Sequence, residues 1–220
     1  EWREDFNPYN ASRISNEYCE GNAWQYTWLV PQDLDLLVEC FGGVEQTIER
    51  LDGLFTADTK MEGEDVTPDI SGLIGQYVHG NEPSHHIVYF YTMLGEPWKA
   101  ADLIYEICDI MYSTEPDGLS GNEDVGQMSA WYVMTTLGFY PVEPAAGKYV
   151  LGVPLMDRAE MDVEGGIFTI IREGYTPENR YVQSVELNGE PLERNYITHD
   201  EIVSGGELKF VMGSEKRAWY

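Results

Sequence analysis

Three short runs of the chain bring together residue types that carry chemistry. They are Glu20-Gly21-Asn22-Ala23-Trp24-Gln25-Tyr26, His79-Gly80-Asn81-Glu82-Pro83-Ser84-His85-His86 and Gly121-Asn122-Glu123-Asp124-Val125-Gly126-Gln127-Met128-Ser129-Ala130-Trp131. Each sets a carboxylate, an amide and an aromatic or imidazole ring around a glycine turn. Carboxyl groups move protons, amides bond hydroxyls, and rings lie against the apolar face of a ligand. The mixture suits a polar, ring-shaped ligand and acid–base chemistry better than it suits a hydrophobic core.

Cleavage of a glycosidic bond needs a protonated carboxyl at the leaving oxygen and a second carboxylate near the anomeric carbon. Glu20 stands beside Trp24 and Tyr26, whose packing would raise its pKa and keep it protonated. The same glutamate also reads as an acid placed to favour the dipole of a helix over residues 22–30. Glu123 and Asp124 directly precede a helical pattern at 127–137, where acids are common without further role. In the second run, His79, His85 and His86 lie with Glu82 inside eight residues. Adjacent histidines on a helix point about 100° apart, so His85 and His86 do not readily share one metal, and the spacing is not that of a zinc-protease helix. Bonding of sugar hydroxyls, or orientation of Glu82, fits the cluster better. Trp24, in the same turn region as Glu20, is the tryptophan placed to stack on a sugar; Trp28, Trp98 and Trp131 read as core.

The elements that must position these runs divide by period. From about residue 22 to 138 the pattern is helical. Pro97 opens a helix with an apolar stripe of Leu103, Ile104, Ile107, Ile110 and Met111. Leu34, Leu37, Val38 and Phe41 form a shorter stripe closed by Gly42-Gly43, and Val44, Ile48, Leu51 and Phe55 begin another. A further helix runs from Pro83 to Leu94, and the next from Gln127 to Leu137. Beyond Pro141 the period becomes two, with strands at 149–153, 166–171, 181–187 and 207–212 and a hairpin turn at Asn188-Gly189. The boundary lies near residues 140–148, so residues 1–142 form a helical part and 143–220 a small antiparallel β-sandwich region. Residues 1–21 show no period.

The chain has 220 residues and a formal net charge of −26. Such an acidic surface repels phosphate backbones, which removes nucleic acid from the partners, and it suits neutral substrates and calcium. No apolar run is long enough to span a membrane. Three cysteines make neither a disulfide framework nor a zinc knuckle, and Cys40 and Cys108 read as buried thiols.

Taken together, the three runs resemble the C-terminal part of glycoside hydrolase family 92, calcium-dependent exo-acting α-mannosidases of bacteria. Leu51-Asp52-Gly53-Leu54-Phe55, Gly75-Gln76-Tyr77 and Leu137-Gly138-Phe139-Tyr140-Pro141 agree as well, and the resemblance extends from about residue 2 to 213. It implies a mainly α fold with C-terminal β structure: the later helices of an (α/α)6 barrel over 1–142, followed by the strand region. It also implies removal of terminal α-linked mannose, α-1,2-linked above all, with inversion. By motif, Glu20 matches the general acid and Asp124 the general base, with Glu123 as its alternate. Asn81 and Glu82 stand where calcium is expected, and Trp24, His79, Glu82, His85 and His86 where the sugar is. The implied partners are a mannose-containing glycan and an N-terminal part of the same polypeptide, without which the chain is expected to be inactive and to pair with a second copy. A periplasmic, secreted or cell-surface location follows from the resemblance. A non-catalytic carbohydrate-binding module is the competing reading, and a zinc hydrolase centred on the histidines is a third.

Overall fold

The computed structural model describes residues 6–13, 17–68 and 70–220; the aperiodic stretch 1–21 falls partly outside them. Helices and strands mix along the chain, which collects into two compact units. One comprises Glu1–His85 and Asp109–Met128, the other His86–Cys108 and Ser129–Tyr220. This division does not follow the change of texture near residues 140–148.

In the first unit, α1 (Ala23–Tyr26), α2 (Leu34–Phe41) and α3 (Val44–Thr56) precede a two-strand ladder of β1 (Leu73–Ile74) and β2 (Tyr77–Val78). Asn22 caps α1 by accepting from Trp24 N at 3.0 Å, and Gln25 Oε1 reaches back to Asn22 N at 2.7 Å. The two bonds satisfy donors that a helix start leaves open. The helix expected over 22–30 is thereby reduced to one turn, because Pro31 disfavours helical backbone at Val30. Asp33 caps α2 through Leu36 N at 3.0 Å. In α3 the buried positions are Thr47, Leu51 and Leu54, while Val44, expected inside, is exposed.

The helix expected from Pro83 to Leu94 is broken. Its first part is a 3-10 turn at Glu82–Ser84, and a second such turn at Ile87–Tyr89 leads into α4 (Phe90–Met93). The tight bonds Ser84 N to Asn81 O and His85 N to Glu82 O curl the chain back towards His79. Next come α5 (Pro97–Ile110) and α6 (Gln127–Leu137). The buried face of α5 is Pro97, Ala100, Ala101, Ile104 and Ile107, spaced three and four apart as a helix face requires. Ile110, expected on that face, is 59% exposed.

The second unit holds two sheets. β3 (Phe139–Tyr140), β4 (Lys148–Leu151) and β9 (Tyr196–Thr198) form one, all antiparallel. The other runs β5-β6-β10-β7-β8, from β5 (Arg158–Val163), β6 (Gly166–Glu173), β7 (Tyr181–Leu187), β8 (Glu190–Pro191) and β10 (Gly206–Gly213). The expected antiparallel arrangement fails at one seam, where β6 and β10 pair in parallel. Parallel neighbours need a long crossover, and the chain from Glu173 to Gly206 supplies it through β7, β8, β9 and α7 (His199–Val203). Along β10, Leu208, Phe210 and Met212 alternate inward. The hairpin at Asn188-Gly189 joins β7 to β8 with both residues at positive φ, 54° and 82°, as a type I′ turn demands. Cys40, read as a buried thiol, is exposed at the end of α2, whereas burial pushes the Cys108 thiol up to about 12.

The α5 face makes a direct contrast. Ile104→Ala should lower the unfolding free energy by about 2–5 kcal/mol, while Ile110→Ala should stay within about 0.5 kcal/mol of wild type, as measured by denaturant titration.

Candidate active site

The first unit holds the three motifs except for His86 and residues 129–131, and backbone contact does much to bring them together. His79 N donates to Gly72 O at 2.8 Å and Gly80 N to Ser71 O at 3.0 Å. A Cβ on Gly80 would come 2.3 Å from Ser71 Oγ, and one on Gly121 would come 3.1 Å from Gly80 O. A side chain at either position would crowd the facing loop, and Gly121 also stands at φ 79°, so glycine favours this close approach. The second and third motifs consequently lie against each other.

The first motif is tied to the second by side-chain amides. Asn81 Nδ2 donates to Glu20 O at 2.8 Å. Below it, Asn22 Nδ2 donates to Gln76 Oε1 at 2.8 Å and Gln25 Nε2 to Gln76 O at 3.0 Å, all within the interior. A buried amide network of this kind is costly unless satisfied, so it fixes the registration of the loops it joins.

His79 is fully buried, with Nδ1 2.9 Å from Tyr77 Oη and Nε2 2.7 Å from Tyr112 Oη. Tyr112 donates its own proton to Met128 O at 3.1 Å. His79 Nε2 is therefore the protonated nitrogen, and Nδ1 accepts from Tyr77. His85 Nε2 donates to His79 O at 2.9 Å, and Gln127 Nε2 donates to His85 Nδ1 at 3.1 Å. Burial, with His85 beside it, holds the His79 pKa down to about 2. His86 belongs to the second unit, where it is buried edge-on to Phe90 at 5.1 Å.

Three carboxyl groups converge on this frame. Burial raises the pKa of Glu82, and a bond from its own backbone N–H pulls it part of the way back. The charge of Asp124, a hydrogen bond to that carboxylate and the charge of Glu20 raise it further. A hydrogen bond between two carboxyls favours the protonated form of one of them, in keeping with the raised pKa of Glu82. Glu20 and Asp124 are exposed, as is Glu123, whose carbonyl accepts from Met128 N at 3.3 Å. Glu20 is thus not enclosed by Trp24 and Tyr26: Tyr26 turns its hydroxyl to Cys19 O, and Trp24 tilts against Tyr9 at 5.6 Å. Trp24 also lines a cavity of about 600 Å³ with Tyr18, Trp28, Phe41 and Arg50, which sequence periodicity did not reveal.

Backbone strain collects at the same place. Glu20, Asp124 and Val125 stand at φ of 54°, 51° and 58°, the left-handed region that penalises any Cβ and a β-branched residue most. Val125 is also fully exposed. Strain of this kind persists where surrounding structure enforces it.

Asn81 and Glu82 offer oxygen donors of the hard type that calcium takes. Among the described residues no group of three or more His, Cys, Asp or Glu side chains is disposed to hold a metal ion. Calcium takes six to eight oxygens, so these side chains alone do not complete a site.

The profile of the glycosyl hydrolase family 92 catalytic domain matches residues 1–214. A family 92 α-mannosidase from Bacteroides thetaiotaomicron, solved with mannoimidazole, superposes with a TM-score of 0.89 at 38% identity, over 100% of this chain and 30% of its own. An inverting mannosidase of the family from the same organism superposes at 0.82 with 34% identity, over 100% of this chain and 31% of its own. An uncharacterized secreted glycosidase of Arthroderma benhamiae is 27% identical over 209 residues, 93% of this chain and 25% of that protein. The chain thus spans under a third of the length of these relatives. No helix among the described residues is long and apolar enough to cross a membrane.

Two outcomes follow from this geometry. His79 has a depressed folded pKa, so between about 6.5 and 2 the unfolded chain takes up a proton there that the folded chain refuses. Its contribution to stability is full above pH 6.5 and falls by about 1.4 kcal/mol per pH unit below it. The nitrogen shifts of His79 should accordingly stay those of a neutral ring from pH 8 to 5. Separately, Val125→Gly should relieve the strained turn and raise unfolding free energy by about 1 kcal/mol, read from thermal or urea denaturation.

Proposed function

The chain belongs to glycosyl hydrolase family 92, and on that premise we propose that it carries the carboxyl groups with which an exo-α-mannosidase removes terminal mannose, α-1,2-linked above all, from glycans with inversion. The observation that carries the reading is the convergence of Glu20, Glu82 and Asp124 in one unit, where burial, Asp124 and Glu20 together raise the pKa of Glu82.

In this reading Glu20 donates its proton to the leaving oxygen as the glycosidic bond breaks. Asp124, on the other side of the sugar, accepts a proton from the water that attacks the anomeric carbon. Glu123 is the neighbouring alternate for that base. Inversion requires room for this water between the two carboxyls, roughly 6.5–9.5 Å. Glu82 lies near both, hydrogen-bonded to Asp124 and within the field of Glu20. One relative, an inverting mannosidase, points the same way.

Trp24 keeps its proposed place near the sugar; for His86, buried in the second unit against Phe90, no sugar contact is proposed. His79 and His85 spend their ring nitrogens inside the protein, so their proposed part is to hold the Glu82 loop. Calcium belongs to the proposal as an ion that Asn81 and Glu82 would help to ligate, where it would polarise sugar hydroxyls; no step above depends on it. The helices are proposed to belong to an (α/α)6 barrel, and the location to be periplasmic or secreted, in keeping with the secreted relative.

The test is turnover of an α-1,2-linked mannobiose and of an aryl α-mannoside by a polypeptide containing this chain. Glu20→Gln should cost about 10²–10⁴-fold on the mannobiose and far less on the aryl mannoside, whose leaving group needs no proton. Asp124→Asn should cost as much on both. Sugar binding without turnover in the unmutated protein would instead favour a carbohydrate-binding module.

A further inference from the structure

Tyr112 lies in none of the three motifs, yet it joins two of them. Its hydroxyl accepts from His79 Nε2 at 2.7 Å and donates to Met128 O at 3.1 Å. Met128 is the second residue of α6, and its N–H in turn holds the carbonyl of Glu123, while Gln127 N holds that of Asp124 at 3.2 Å. A continuous path therefore runs from the histidine loop, through one phenol, to the turn that carries Asp124. On the histidine side the loop continues through Gly80 and Asn81 to Glu82. A second bridge, Gln127 to His85, crosses the same gap but ends on a flexible amide. The Tyr112 ring is further anchored by its own backbone, which bridges to Leu119 across the turn closed by Ser113 N to Gly118 O at 3.0 Å.

We propose that Tyr112 is a positioning residue for hydrolysis: its hydroxyl sets where the Asp124 turn stands relative to the Glu82 loop. This rests on the family 92 reading for its catalytic consequence, though not for the geometry. A phenol suits the task because it accepts and donates at one oxygen while a rigid ring holds that oxygen in place. The hydroxyl, not the ring, carries the effect. Tyr112→Phe keeps the packing and removes only the link, leaving His79 Nε2–H and Met128 O to find other partners.

The experiment has two arms. In the first, the 220-residue chain is labelled at histidine nitrogens and carboxyl carbons and compared with Tyr112→Phe by NMR. The expected result is a neutral, Nε2-protonated His79 in the wild type. In the variant, the carboxyl resonances of Glu82 and Asp124 should move while those of Glu160, Glu173 and Glu186 in the β5-β6-β10-β7-β8 sheet stay in place. In the second arm, turnover of the mannobiose should fall about 10²-fold in kcat with KM held within a factor of two or three, the size expected for a misplacement of about 1 Å. Gln127→Ala, which cuts the other bridge, should cost much less. Unmoved Glu82 and Asp124 resonances, or an unchanged kcat, would overturn the proposal. So would a wild-type His79 protonated on Nδ1, since Tyr112 would then have to donate to the imidazole and could not hold Met128; this result needs no variant to fold. The second arm uses a polypeptide that also contains the N-terminal part; if its wild type cleaves no mannoside, the family reading of activity fails, and the first arm alone decides the role of Tyr112.

Discussion

The constraint on which the rest depends is an imidazole kept neutral and saturated in a dry interior. His79 has one nitrogen that accepts and one that donates, and each faces a tyrosine hydroxyl. In so buried a place a lost partner costs the full desolvation of the group left behind, so the ring, both tyrosines and the backbone oxygen of Met128 hold one arrangement together. That arrangement is favoured by Gly80 and Gly121, which let the loops meet backbone to backbone. Remove the close approach and Glu82 no longer faces Asp124.

Around this frame the protein places what a chain would otherwise avoid. Two carboxyls share a hydrogen bond, a third acts on them as a charge, and two consecutive residues without glycine's freedom stand in left-handed backbone. Like charges at short range raise the pKa of Glu82, which eases their repulsion. Strain at Asp124 and Val125 is tolerated because α6 begins at Gln127, whose N–H bonds back to Asp124. Electrostatic cost and backbone cost fall on the same few residues, as they do where geometry serves chemistry.

Much of this was legible beforehand. The family resemblance pointed to Glu20 and Asp124 and the histidine run to Glu82, and helical periodicity located α5 and α6 to within a residue or two. Alternation found β6, β7 and β10, and Asn188-Gly189 announced its own turn. What escaped was what depends on tertiary contact. Ile110 fits an apolar stripe by count but points outward. The Pro83–Leu94 helix looked continuous because periodicity does not register His85 reaching back to the carbonyl of His79. The parallel seam between β6 and β10 follows from a crossover through β7, β8, β9 and α7, which local pattern does not encode. Tyr112 was invisible because its segment is a loop of ordinary composition, and its part is set by two partners 33 and 16 residues away. Membership of the family came from the motifs, but their connection came from the fold.

The central claim is that Glu20 and Asp124 act from opposite sides of the sugar with a water between Asp124 and the anomeric carbon. Proton NMR of the first product, recorded before mutarotation, tests it most directly. The account predicts β-mannose as the initial anomer from an α-mannoside; α-mannose appearing first would mean retention, and would contradict the placement of the two carboxyls.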